Sequence, residues 1–306
     1  MHPVPSAPNA TCKAHFHAIV RTLESLLPYC SFFVTLCLLD NTENEIELTV
    51  ITSLSNPKIK ETVKLREGKH RRRTGKFVID GIRELDRAVQ AGIRVLEIFT
   101  VHSNVPYANT VTRQVTDPVF RKIAYGDRDD GIVAIAEEPV LTFDTFEANI
   151  QQKNNPLIAV VEKISKPGNL GAVFRSADAA GFDGVMIADL HLDPFHYNSI
   201  RSSLGTVFHV PQVSGSSANI CRWLKGRQFQ IAAARCSGNT IPYTAIDFCR
   251  PTAIVLGSEA EGLSDVWSGE GITGVTLPMM GIADSLNVSV AAGILFYEAR
   301  RQRSKE

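Results

Sequence analysis

The chain has 306 residues, of which 44% are hydrophobic and 21% charged, with 32 basic against 32 acidic side chains. This composition excludes collagen-like, coiled-coil and wholly disordered chains and leaves length for two domains. No apolar run approaches the roughly 18 residues of a membrane helix. Six cysteines without a Cys-x-x-Cys pair argue against a disulfide framework or a structural zinc site, so a reducing, cytoplasmic compartment is expected.

Residues 1–50 read as an unassigned N-terminal extension: a Pro/Ala/Ser start, an apolar stretch from Tyr29 to Leu39, then the acidic Asp40 to Glu47. Cys12, His15 and His17 lack a fourth metal ligand at sensible spacing, and the apolar stretch starts too late for a signal peptide. From Ile51 the pattern becomes regular. Pro57 to about Arg66 is a basic helix candidate, Phe77-Val78-Ile79 an apolar run, Ile82 to Gln90 a helix with Ile82, Leu85 and Val89 on its inward face, and Val95 to Val101 and Ile132 to Ala136 are strands. Between Lys58 and Lys76 nine Lys/Arg residues stand against Glu61 and Glu67, the kind of clustering that meets phosphates. Residues 51–138 therefore read as a small α/β domain, and residues 139–156, polar with few apolar anchors, as a linker.

Residues 157–306 form a longer α/β series. Its strands are Leu157 to Ile164, Val185 to Ala188, Phe229 to Ala234, Thr252 to Leu256 and Gly274 to Leu277, with an extended Phe208 to Val213. Its helices are Leu170 to Gly181, Asn198 to Leu204, Ser217 to Arg227 and Leu286 to Arg303. Strands dense in Val, Ile and Ala that alternate with helices imply a parallel sheet covered on both faces.

In such sheets ligands bind beyond the carboxyl ends of the strands, and three segments there could carry chemistry. Lys166-Pro-Gly-Asn-Leu-Gly-Ala-Val-Phe-Arg175 leaves a strand and opens a helix, with Asn169 as a candidate cap and Arg175 inside the helix. It lacks the Gly-x-Gly-x-x-Gly of a dinucleotide loop. Ile254-Val-Leu-Gly-Ser-Glu-Ala-Glu-Gly-Leu263 runs from a strand into a glycine-bracketed turn, where Glu259 and Glu261 can accept hydrogen bonds but are too few for a metal site. Leu277 to Glu298 holds a loop with Gly281, Ser285 where an N-cap belongs, and the polar Asn287 and Ser289 at the start of an apolar helix.

Taken together, Asn169-x-Gly171-x-x-x-Arg175, Leu256-Gly257-Ser258-Glu259-x-x-Gly262-Leu263 and Pro278-Met279-x-Gly281-x-x-x-Ser285-Leu286-Asn287-Val288-Ser289 resemble, in order and spacing, the SpoU family of ribose 2'-O-methyltransferases within the SPOUT superfamily. Upstream, Asn56-Pro57, the basic stretch and Phe77-Val78-Ile79-Asp80-Gly81 resemble the small RNA-binding domain found in many members. Lys166-Pro167-Gly168 stands where Asp-Pro often leads into the asparagine.

The resemblance implies an α/β fold whose C-terminal domain is a parallel sheet tied in a deep trefoil knot, with S-adenosyl-L-methionine held by knot backbone at Gly257, Leu277 and Leu286. It makes Arg175 the central catalytic residue, with Asn169, Glu259, Ser285 and Asn287 positioning it, the ribose and the loops. A guanidinium is always charged in proteins and is a poor base, so its expected role is to stabilise the emerging alkoxide and grip a phosphate. A homodimer is implied, with the apolar face of Val288 to Phe296 as candidate interface. Lys69, Arg71, Arg72, Arg73 and Lys76 are expected to meet RNA backbone, ribosomal RNA being favoured over tRNA, with no DNA or membrane partner. The competing readings are a tRNA methyltransferase, a non-catalytic RNA-binding relative, a nicotinamide-dependent oxidoreductase and a metal hydrolase using His191, Asp193 and His196.

Overall fold

A computed structural model of the chain describes residues 50–103, 105–107, 110–126, 130–190, 192–258 and 260–304. The expectations for residues 1–49 lie outside the described residues. The basic segment forms two short helices rather than one. In α1 (Pro57–Lys64) proline sets the first turn and Asn56 accepts from the Lys58 amide at 2.9 Å, while α2 (Gly68–Thr74) ends on Gly75 in the left-handed region.

A four-stranded sheet follows in the order β1 (Lys76–Asp80), β4 (Ile132–Glu137), β2 (Val95–Thr100), β3 (Val111–Gln114), with β4 antiparallel to both neighbours and β2 parallel to β3. Helix α3 (Ile82–Gln90) has the expected span, but its inward face is Glu84, Leu85 and Ala88, and Ile82 and Val89 are both 44% exposed. The orientation is set by a partner distant in sequence: Glu84 and Arg87 lie against Gly205 of the second half, and Arg87 donates to the Leu204 carbonyl at 2.6 Å. Helix α4 (Asp117–Ile123) closes this half.

The 139–156 stretch, expected as a linker, contains helix α5 (Phe143–Ile150). Thr142 and Thr145 form a reciprocal capping box, and Phe146 and Ile150 are buried against the second sheet.

That sheet has seven strands in the order β7 (Gln212–Gly215), β6 (Gly184–Ala188), β5 (Leu157–Glu162), β10 (Thr252–Leu256), β8 (Gln230–Ala234), β11 (Ile272–Thr276), β9 (Ile241–Pro242), and every neighbouring pair is parallel. Period-two alternation explains its unbroken apolar runs. In β5, Leu157, Ala159 and Val161 enter one core with helices α6 (Pro167–Ala180) and α9 (Val288–Arg303), while Ile158 and Val160 enter the other with α5 and α8 (Ser217–Gly226).

Two helix starts differ from expectation. Proline at the first position begins α6 two residues before Asn169, so Asn169 lies inside the first turn and Lys166 is the N-cap. Asn287, rather than Ser285, caps α9, its Oδ1 accepting from the Ser289 amide at 2.9 Å and the Ser289 hydroxyl at 2.6 Å.

Helix α7 (Tyr197–Ser202) crosses α6 at Gly171. A Cβ there would stand 2.9 Å from the Ser203 amide nitrogen and closer still to the Ser199 carbonyl oxygen and Ser202 Oγ. Gly171→Ala is therefore expected to cost about 1–3 kcal/mol of stability, read as a lower urea midpoint at unchanged slope. An unchanged midpoint would contradict this close approach.

Residues 193–208 form a seam between the two sheets. Phe77 stacks on Phe195 with ring centroids 4.9 Å apart, Tyr125 stacks on Tyr197 at 3.9 Å, and Arg71 Nε pairs with Asp193 at 2.5 Å. Burial pushes the Tyr125 phenol up to about 12, against the opposing field of Arg66 and Arg71.

Candidate active site

Strands β10, β8 and β11 are adjacent, so the loops leaving their carboxyl ends must meet. A cavity of about 420 Å³ lies there, and its lining joins Gly257 from the loop after β10 to Leu277, Ser285 and Leu286 from the segment after β11. This size suits a small ligand. Leu256, Leu277, Ala291 and Leu295 supply apolar walls, and Gly257, Ser258 and Gly262 bring the glycine-bracketed turn to the cavity.

The turn is fixed by its own backbone. The Ser258 amide donates to the Gly262 carbonyl at 3.1 Å, the Gly262 amide returns to Ser258 at 3.0 Å, and Gly262 takes a positive φ of 67°. Gly257 is required by space, since a Cβ there would stand 2.6 Å from the Leu263 amide nitrogen and overlap the Gly262 carbonyl. An apolar-walled cavity beside a glycine-bracketed turn fits a small ligand with an apolar face. Glu259 lies outside the described residues.

The first and third sequence segments touch through side chains: Asn287 Nδ2 donates to Asn169 Oδ1 at 3.3 Å. Asn169 is therefore carried by the first turn of α6 and Asn287 by the cap of α9, two helices packed against the same sheet face. Arg175 is exposed on α6, does not line the cavity, and has no hydrogen bond or ion pair among the described residues.

Arg235, Cys236 and Ser237 also line the cavity, as do Met279 and Asp284. The first three follow β8, which lies between the two strands carrying the motif loops, so only the strand order reveals them. A larger cavity, about 570 Å³, runs along α3 between Arg83, Asp86, Arg87 and Gln90. It contains no motif residue and offers little apolar wall for a purine.

The basic cluster divides. Lys69, Arg72 and Lys76 are exposed, and Arg73 is exposed while donating to His70 Nδ1 at 2.9 Å. With Nδ1 accepting, His70 Nε2 is the donor to Glu61 at 2.5 Å, and that hydrogen bond holds the Glu61 carboxyl below its usual range. Arg71 departs from the expectation of an RNA contact. It is 4% exposed, bonded to the Leu65 and Arg66 carbonyls at 2.8 Å each and to Asp193. Nε and Nη1 are thus engaged inside the seam and the side chain is buried, unlike its exposed neighbours.

The candidate metal ligands are engaged in part. Asp193 is committed to Arg71 and accepts from the Phe195 amide at 2.8 Å, His196 Nδ1 accepts from the Asn198 amide at 3.1 Å, and His191 lies outside the described residues. Among the described residues no helix is long and apolar enough to cross a membrane.

Comparison with known proteins bears on the same two halves. The model of the SpoU rRNA Methylase family matches residues 156–297, and that of the MRM3-like substrate binding domain matches residues 56–134. A 23S rRNA (uridine(2479)-2'-O)-methyltransferase of Streptomyces viridochromogenes is 30% identical over 255 residues, covering 76% of this chain and 85% of that protein. A solved RNA 2'-O ribose methyltransferase is 38% identical, with a TM-score of 0.72 over 83% of this chain and 99% of its own. The SpoU methyltransferase AviRb from Streptomyces viridochromogenes, solved in complex with AdoMet, is 27% identical, with a TM-score of 0.72 over 81% of this chain and 98% of its own.

Proposed function

The chain belongs to the SpoU rRNA methylase family, and from that premise we propose that it methylates the 2'-hydroxyl of a ribose in ribosomal RNA. It is an S-adenosylmethionine-dependent RNA 2'-O-methyltransferase. The observation that carries the reading is the meeting of Gly257, Leu277, Ser285 and Leu286 around one cavity, joined to the first motif by the Asn287–Asn169 hydrogen bond.

When bound, S-adenosylmethionine supplies an activated methyl group. Gly257 leaves room for it and Leu277 and Leu286 wall it, while Asn169, Ser285 and Asn287 orient the loops and the ribose. Glu259 belongs to the same positioning group by its place in the second motif. Arg175 stabilises the charge that develops on the 2'-oxygen. Because Arg175 is exposed and outside the cavity lining of its own chain, it acts in a homodimer, where the cavity of one subunit meets the arginine of the other. The apolar face expected at the interface is instead core, since Val288, Ala292, Leu295 and Phe296 are buried within their own chain. Met280 (94% exposed), Ile282, Val290 and Tyr297 supply an apolar surface for that pairing. We infer further that the C-terminal segment is threaded as a trefoil knot, that a small RNA-binding domain ends near residue 138, and that the enzyme acts in the cytoplasm on RNA rather than DNA.

RNA is held outside the chemistry by Lys69, Arg72, Arg73 and Lys76. Lys69→Ala, Arg72→Ala and Lys76→Ala are each expected to weaken RNA binding and lower its salt slope by about one, at unchanged melting temperature. Arg71→Ala is expected to do the opposite. It strands Asp193, costs about 3–5 kcal/mol of stability and leaves the salt slope alone. A salt slope that fell in Arg71→Ala would return that residue to the RNA surface.

The test of function is transfer of labelled methyl to unmodified ribosomal RNA and tRNA, followed by nucleoside digestion. Label in a 2'-O-methylnucleoside of ribosomal RNA is expected. Label in tRNA alone would move the substrate, and a chain that binds no S-adenosylmethionine would overturn the reading of the cavity.

A further inference from the structure

Glu162, the last residue of β5, is fully buried, yet nothing in the chemistry above employs it. Four donors converge on its carboxylate. The Ser264 amide reaches Oε2 at 2.8 Å, and Ser217 Oγ, Ser264 Oγ and Trp267 Nε1 reach Oε1 at 2.5, 2.6 and 3.0 Å, the single Ser217 hydroxyl proton being shared with Asp189 Oδ2 at 2.6 Å. Burial by itself would raise its pKa, but the hydrogen bonds from Ser217, Ser264 and Trp267 outweigh it and hold the carboxyl below the usual range. Glu162 is thus a buried, ionised acceptor, and its donors are strongly directed.

Three of those four donors come from one stretch of chain. Ser264 and Trp267 end the loop that begins at Gly257, and Gly257, Ser258 and residues 260–263 of that loop line the cofactor cavity. The loop is stiff between its ends through the paired Ser258–Gly262 backbone bonds, and Arg235 clamps the Trp267 carbonyl at 2.9 Å. On its other side, Glu162 is followed directly by the segment that delivers Asn169. One carboxylate therefore sets the height of the cavity loop against the strand that carries the first motif.

We infer that Glu162 is a positioning residue for S-adenosylmethionine, acting through the Gly257–Trp267 loop. The inference rests on the cofactor reading of the cavity. Glu162→Gln is isosteric but exchanges an acceptor oxygen for an N–H donor, so at least one of the four donors then faces another donor. Ser264→Ala removes the hydroxyl and keeps the amide, and Trp267→Phe removes the indole N–H and keeps an aromatic ring.

With the full chain, the expected result for Glu162→Gln is an S-adenosylmethionine Kd and KM raised about tenfold or more, the cost of an unsatisfied buried donor. RNA affinity and kcat at saturating cofactor stay within about threefold of the parent. Ser264→Ala and Trp267→Phe shift cofactor affinity in the same direction by smaller steps. Parent-like cofactor affinity in a folded Glu162→Gln overturns the inference. So does a joint loss of cofactor affinity, RNA affinity and kcat, which is the mark of a merely structural role. If Glu162→Gln does not fold, Ser264→Ala and Trp267→Phe decide, and unchanged cofactor affinity in both is fatal to it. A parent chain that binds no S-adenosylmethionine overturns the cavity reading instead, so the two failures are distinct.

Discussion

Arg175→Ala is expected to lower kcat for methyl transfer by about 10²–10³-fold, the range for removal of a preorganised donor to a developing oxyanion. S-adenosylmethionine affinity should stay within about twofold, because Arg175 does not line the cavity. Arg175→Lys is expected to recover little, since an ammonium cannot reproduce the planar fork that spans an oxyanion and a neighbouring phosphate. A pH–rate profile of the chemical step that is flat near neutrality fits this electrostatic role. A clear ionisation that disappeared in Arg175→Lys would make the arginine a base and refute it. Mixing Arg175→Ala subunits with Gly257→Ala subunits adds a test of the shared site. Each variant alone is inactive, and the mixed dimer regains one complete site if arginine and cavity come from different chains.

Gly257→Ala is expected to abolish measurable S-adenosylmethionine binding, an effect of about 100-fold or more for a methyl group forced into a fixed backbone turn. The added Cβ meets the Gly262 carbonyl and the Leu263 amide nitrogen, which are main-chain atoms held by the Ser258–Gly262 bonds and cannot yield as a side-chain end would. The turn must open, and the cavity edge moves with it. Because the collision is confined to one loop, the melting temperature should change far less than in Gly171→Ala, where the collision is between packed helices. Calorimetry with S-adenosylmethionine and a thermal melt read the two quantities separately. Intact binding in Gly257→Ala would mean that the ligand does not approach this turn.

The central strands of the larger sheet, β5, β6, β8 and β10, were legible because their runs are buried on both faces, whereas the exposed two-residue β9 carries no such signal. β10 falls on Thr252–Leu256 as expected, since Val, Ile and Leu without interruption have no other stable use in a chain of this composition. The three motifs were legible because spacing along the chain survives folding, and the cavity draws on the second and third while Asn287 reaches Asn169 of the first. What escaped depends on contacts between distant residues. The rotation of α3 is set by Gly205, the burial of Arg71 by Asp193, and the membership of Arg235 in the cavity by a strand order that places β8 between β10 and β11. Residues 111–123 escaped for another reason, since β3 and α4 are short and their periods too brief to register. Charge density alone misassigned Arg71, because four neighbouring cations on a two-turn helix cannot all face the same way.

The seam at residues 193–208 bears on how such enzymes can be rebuilt. A separable RNA-reading module would in principle be a cassette, exchanged between relatives to redirect a methyltransferase. Here a graft cut near residue 138 would carry away Arg71, Phe77 and Tyr125 and leave Asp193, Phe195 and Tyr197 facing a foreign surface. The unit of inheritance is thus larger than the small sheet. A working chimera must bring residues 193–208 along with it, and retargeting is easier by changing the exposed cations one at a time.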